Sequence, residues 1–106
     1  MSMVVDVTEQ TFAAEVLASS RPVLVDYWAD WCAPCKQLSP VIDELSRQYP
    51  QVKFCKVDTN ASPGLAARLG VMSLPTLQVI VGGEVEQSVQ GGKTKLGVIS
   101  MLKPYL

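Results

Sequence analysis

At 106 residues, 48% of them apolar, the chain can bury one core and is expected to form a single domain over residues 1–106. A formal charge of −1 offers no grip on nucleic acid or an anionic membrane surface, and no run is apolar enough to cross a bilayer. Three cysteines without a histidine exclude a disulfide-dense scaffold, an all-cysteine iron–sulfur cluster and Cys–His or Ser–His catalysis.

The opening Met1-Ser2-Met3-Val4-Val5-Asp6 has no basic region, apolar core or cleavage site, which reads as a cytoplasmic chain. Residues 4–7 are a short strand. Thr8 is placed to cap a helix through about Ala18, with Phe12, Val16 and Leu17 on its apolar face. Arg21-Pro22 ends it, and residues 23–28 form a buried strand. A helix follows from about Cys35 to Tyr49, with Leu38, Val41, Ile42, Leu45 and Tyr49 at helical spacing. Pro40 lies inside it and should kink it, having no N–H to donate.

Residues 52–58 are the next strand. Ser62 caps a short helix with Pro63 at its first position, ending near Gly70. Residues 76–81 and 85–90 flank Gly82-Gly83-Glu84, a hairpin with a tight glycine turn. After Gly91-Gly92 comes a last helix, with Leu96, Ile99 and Leu102 spaced for one face. Alternating elements imply parallel strands joined by right-handed crossovers, and the hairpin adds antiparallel pairing. The expectation is an α/β chain with a mixed sheet and helices on both faces.

The chemistry concentrates in Trp31-Cys32-Ala33-Pro34-Cys35. Its two thiols sit at a strand-to-helix junction, where backbone N–H groups favour an anion and so lower the cost of a thiolate. Cys32 comes first and is expected to be the more exposed sulfur and the nucleophile; Cys35 would then resolve the mixed disulfide. A bond closing so small a loop removes little unfolded-chain entropy, so as a staple it is poor. Zinc would need a carboxylate beside three cysteines, and no metal site is expected.

Asp26 stands in an apolar strand, where burial should raise its pKa and suit it to proton transfer. Trp28 is expected to pack under the motif. Trp31, Met72, Leu74 and Gly91 form a candidate apolar rim for substrate. Cys55 reads as a small buried hydrophobe. There is no phosphate loop or dinucleotide fingerprint, so electrons must come from a partner, and no cofactor is expected beyond the cysteine pair.

These residues resemble the thioredoxin family over nearly the whole chain. The resemblance rests on Val25-Asp26-Tyr27-Trp28-Ala29-Asp30-Trp31-Cys32-Ala33-Pro34-Cys35-Lys36, Lys56-Val57-Asp58, Leu74-Pro75-Thr76, Gly83-Glu84 and Gly91. It implies the thioredoxin fold, with about five strands, and a general protein disulfide reductase cycling through Cys32 and Cys35. It further implies that Asp26 helps deprotonate Cys35, that Lys56 is a candidate partner of Asp26, and that Pro75 is cis and lies against the cysteines. The implied partners are thioredoxin reductase, with NADPH as ultimate donor, and clients such as ribonucleotide reductase, peroxiredoxins and methionine sulfoxide reductases. With no coiled-coil seam, a monomer is expected.

Three positions depart from the family pattern. Ala33-Pro34 replaces the usual Gly-Pro and should tune the redox potential. Ile80 stands where an aromatic residue is common, and Gln90 replaces an apolar residue before Gly91. Two rival readings remain open: a disulfide oxidant or isomerase on the same fold, and a non-catalytic partner-binding subunit. A high reduction potential would mark the first. Function surviving loss of both cysteines would mark the second.

Overall fold

The centre of the sheet is β2, Val23–Trp28, whose first five side chains are all buried, Asp26 included. A strand covered on both faces reads as a continuous apolar run rather than an alternating one. In the computed structural model, which describes residues 2–106, β2 lies between two neighbours of opposite sense. It runs parallel to β3, Lys53–Asp58, and antiparallel to β4, Thr76–Val81. The short β1, Val5–Asp6, extends the parallel side, and β5, Glu84–Gln90, the antiparallel side, giving the order β1-β3-β2-β4-β5.

Alternate β2 residues feed two cores. Leu24 packs with Phe54, Leu77 and Val79 beneath helices α1, Ala33–Gln48, and α3, Lys95–Leu102. Val23, Val25 and Tyr27 pack with Cys55, Val57 and Ile80 beneath a helical turn, Ala13–Leu17, and α2, Pro63–Arg68. The expected mixed sheet with helices on both faces is therefore present. Asp26 and Lys56 are register partners across β2 and β3.

Several local expectations are corrected. The first helix is regular only over Ala13–Leu17, a wide turn closed by the Ala18 N–H on the Ala13 carbonyl at 2.9 Å. Thr8 does not cap it; the Thr8 N–H donates to Thr11 Oγ1, so the organising hydroxyl belongs to Thr11. Phe12 and Val16 are buried, but Leu17 turns outward and is exposed. On α3 the buried stripe is Val98, Met101 and Leu102, while Leu96 is 76% exposed. Both stripes have helical spacing, so periodicity could not choose between them. Ser62 holds the N-cap position of α2 without a side-chain bond.

The helix α1 begins at Ala33, two residues earlier than expected, and continues through Pro40 to Gln48. The hairpin loop is two residues, not three: Val81 pairs with Glu84, and Gly82 and Gly83 both have positive φ. That is the twist-matched turn glycine permits.

Candidate active site

The strand β2 ends at Trp28, and residues 29–31 carry the chain to α1. There Cys32 takes an extended backbone as the N-cap, and its Sγ accepts the Cys35 N–H at 3.3 Å. Its carbonyl accepts the Lys36 N–H at 3.2 Å. Pro34 sits in the first turn, where its missing N–H deprives the helix of nothing. The sequence thus aims a helix N-terminus at the first sulfur, an arrangement that favours its thiolate.

Cys32 and Cys35 are joined as a disulfide, with Cα atoms 5.3 Å apart. Contrary to expectation, Cys32 is hardly the more exposed: the two residues are 4% and 2% accessible. Trp28 and Leu74 pack around the pair, with Ala29 buried beside it. Trp28 is half-buried and Trp31 is 69% exposed.

The Leu74–Pro75 bond is cis, as expected. The loop is tied at its far end: Thr76 Oγ1 donates to the Ser73 carbonyl at 2.6 Å, and the Gly91 N–H to the Pro75 carbonyl at 2.9 Å. Gly91 can make this turn because its φ is +88°. Met72 projects from the loop at 89% exposure. Trp31, Thr59, Met72, Ser73 and Leu74 are among the residues lining a groove of about 220 Å³.

Behind the disulfide lies a cavity of about 130 Å³ lined by Asp26, Trp28, Cys35, Lys36, Ser39 and Lys56. Asp26 Oδ1 and Trp28 Nε1 are buried with no hydrogen-bond partner among the described residues. Burial pushes the Asp26 pKa up to about 7; the Lys56 charge opposes this and Asp43 adds slightly to it. The Lys56 ammonium itself lies 3.7 Å from Asp6 Oδ1 and 5.8 Å from the centre of the Trp28 ring. It reaches Asp26 as a field, not as a direct ion pair. Cys55 is a buried free thiol in β3, and burial raises its pKa to about 11.

Sequence reading missed Asn60. Its Oδ1 accepts Trp31 Nε1 at 3.4 Å and its Nδ2 donates to Asp30 Oδ1 at 3.2 Å, while its N–H bonds Asp58 Oδ1 at 2.9 Å. The Asp58-Thr59-Asn60 run after a strand was the available signal, since Asp and Asn side chains close turns on nearby backbone. Ser39 of the cavity left no such signal.

A disulfide in the first turn of a helix, backed by an acid that can hold or release a proton near neutral pH, is built to cycle. That defines a thiol–disulfide oxidoreductase. The sequence profile of the thioredoxin family matches residues 3–104. The chain is 44% identical to thioredoxin 1 of Synechococcus elongatus over 107 aligned residues, covering all of both proteins. It is 44% identical over 94 residues to the thioredoxin of Streptomyces clavuligerus, spanning 89% of this chain and 88% of that one. Against thioredoxin M5, chloroplastic, of Oryza sativa it is 40% identical over 104 residues, 97% of this chain and 60% of the relative. The chain belongs to the thioredoxin family and is a disulfide reductase with a Cys32–Cys35 redox centre.

Proposed function

We propose that Cys32 is the attacking thiol, Cys35 the resolving thiol and Asp26 the proton carrier for Cys35. The Cys32 thiolate attacks one sulfur of a client disulfide, forming a mixed disulfide and releasing the client's other sulfur as a thiolate. The Cys35 thiolate then attacks Cys32, the second client sulfur leaves, and the Cys32–Cys35 disulfide forms. Two electrons have passed to the client. Asp26 and Cys35 share one cavity, and its size admits water to relay the proton between them. The single observation that carries this reading is the Cys35 N–H donated to Cys32 Sγ at the helix start.

The client surface in this reading is Trp31, Met72, Leu74, cis-Pro75 and Gly91, where backbone groups and apolar area accept an extended segment. Ala33 and Pro34 tune the potential. A thioredoxin reductase returns the electrons, and the clients are disulfide proteins of the ribonucleotide reductase, peroxiredoxin and methionine sulfoxide reductase kinds. In this reading the protein works as a single-domain cytoplasmic monomer. Separately, no helix among the described residues is long and apolar enough to cross a membrane. Equilibrating the protein against a defined thiol buffer tests the direction of electron flow. A potential well below that of the glutathione pool supports the reductant role, and a high one assigns it to disulfide donation.

A further inference from the structure

Gln78 is out of place by composition. It lies in the middle of β4 between Leu77 and Val79 and is 1% exposed. A buried amide costs free energy unless its groups are bonded, and an apolar side chain would avoid that cost. Both ends of the amide are bonded. Gln78 Nε2 donates to the Leu69 carbonyl at 2.9 Å and to Ser88 Oγ at 3.3 Å. Gln78 Oε1 accepts the Tyr27 hydroxyl at 2.8 Å. A carbonyl only accepts, so the amide nitrogen must face Leu69, which leaves the oxygen for Tyr27.

The Leu69 carbonyl matters because of where the chain goes next. At the end of α2, the Gly70 N–H bonds the Ala67 carbonyl at 3.2 Å and the Val71 N–H bonds the Ala66 carbonyl at 2.9 Å. With Gly70 at φ +73°, these close the helix in the usual left-handed reversal. The Gln78 bond secures the Leu69 carbonyl at the exit. What leaves that exit is the 71–75 loop, with Met72, Leu74 and cis-Pro75. Its far end is already tied through Thr76 and Gly91. The Tyr27 at the other end of the amide sits in β2 between Asp26 and Trp28.

We propose that Gln78 is a positioning residue for client binding: by tying the Leu69 carbonyl to Tyr27, it sets where the 71–75 loop stands relative to Cys32. This rests on the reading of that loop as part of the client surface. Gln78 touches neither sulfur nor client. It couples the strand that leads into the redox centre to the loop that faces the client.

The test is single-turnover reduction of insulin by the pre-reduced protein, saturated in insulin to separate the apparent KM from the limiting rate. Reduction of dithiobis-nitrobenzoate, too small to use the loop, reports on the thiols alone. Gln78→Leu should raise the insulin KM about fivefold, the effect of one lost buried hydrogen bond, with the limiting rate and the small-disulfide rate unchanged. Tyr27→Phe combined with Gln78→Leu removes the stranded hydroxyl and should recover folding stability, yet leave KM raised because Leu69 still lacks its donor. Recovery of both stability and KM in the double variant would reduce Gln78 to packing and overturn the proposal. So would a fall in the limiting rate or small-disulfide rate at unchanged KM. Leu74→Ala separates the two levels of the argument. If it leaves the insulin KM unchanged, the client-surface reading fails; if it raises KM while Gln78→Leu does not, only the positioning role fails.

Discussion

Lys56 faces Asp26 across the parallel β2–β3 pair, yet its ammonium lies nearer Asp6 Oδ1, at 3.7 Å, and over the Trp28 ring. The buried carboxyl and the Lys56 cation are therefore coupled through space without a direct bond. Because the Lys56 charge lowers the Asp26 pKa, Lys56→Met should raise it above the value of about 7. A carbon-detected carboxyl titration of the oxidised protein reads this directly. An unchanged midpoint would show that Lys56 is electrostatically irrelevant to Asp26.

The raised pKa of Asp26 has a consequence for stability. Unfolded, the carboxyl titrates near 3.8; folded, near about 7. Between those values the folded state holds the extra proton. The favourable contribution is fully present below the unfolded value and is lost as pH rises through the folded one. Asp26→Asn should therefore be more stable than the parent by roughly 4 kcal/mol at about pH 8, with the gain vanishing below about pH 4. Urea unfolding at both pH values checks this, and an equal gain at each would mean that the charge is not the cause. The same variant should lose turnover near neutral pH.

How much of this was legible beforehand follows the range of each signal. The cysteine pair, the helix it opens and the apolar strand carrying Asp26 are local patterns, and each appears, the helix starting two residues early. The cis bond at Pro75 was legible only through family resemblance, because the local sequence favours trans. The buried stripe of α3 depends on which side of the helix meets the sheet, so Leu96 and Val98 could not be ranked from spacing. The contacts of Lys56, the hold of Asn60 on Trp31 and the bonds of Gln78 join residues far apart in sequence. Such pairs exist only once the sheet is assembled.

The hairpin turn offers a prediction that leaves the redox centre untouched. Gly83 has φ +84°, and a Cβ there would meet the Leu17 carbonyl oxygen at 3.4 Å. Gly82 has φ +59° and open space around the same position. Gly83→Ala should destabilise the fold by about 1–2 kcal/mol, from left-handed backbone strain with added crowding. Gly82→Asn should be nearly neutral, since asparagine suits the first place of this turn. Denaturant midpoints distinguish the two, and both variants should keep the parent's reduction potential. Equal losses would mean that the turn is not held in this geometry.

The division of labour between the cysteines is tested by stopping the cycle halfway. Cys35→Ser removes the sulfur that resolves the mixed disulfide but leaves Cys32 at the helix start. Attack on a client still releases one client thiolate, and the second client sulfur then stays bonded to Cys32. The variant should accumulate a covalent adduct with insulin that dithiothreitol reverses and mass spectrometry locates on Cys32. Cys32→Ser should form far less, because Cys35, unlike Cys32, lines the Asp26 cavity behind the pair. An adduct mapped to Cys35 in the Cys32→Ser variant at the same yield would exchange the two roles. In that case the donation of the Cys35 N–H to Cys32 would belong to the leaving sulfur, not the attacking one.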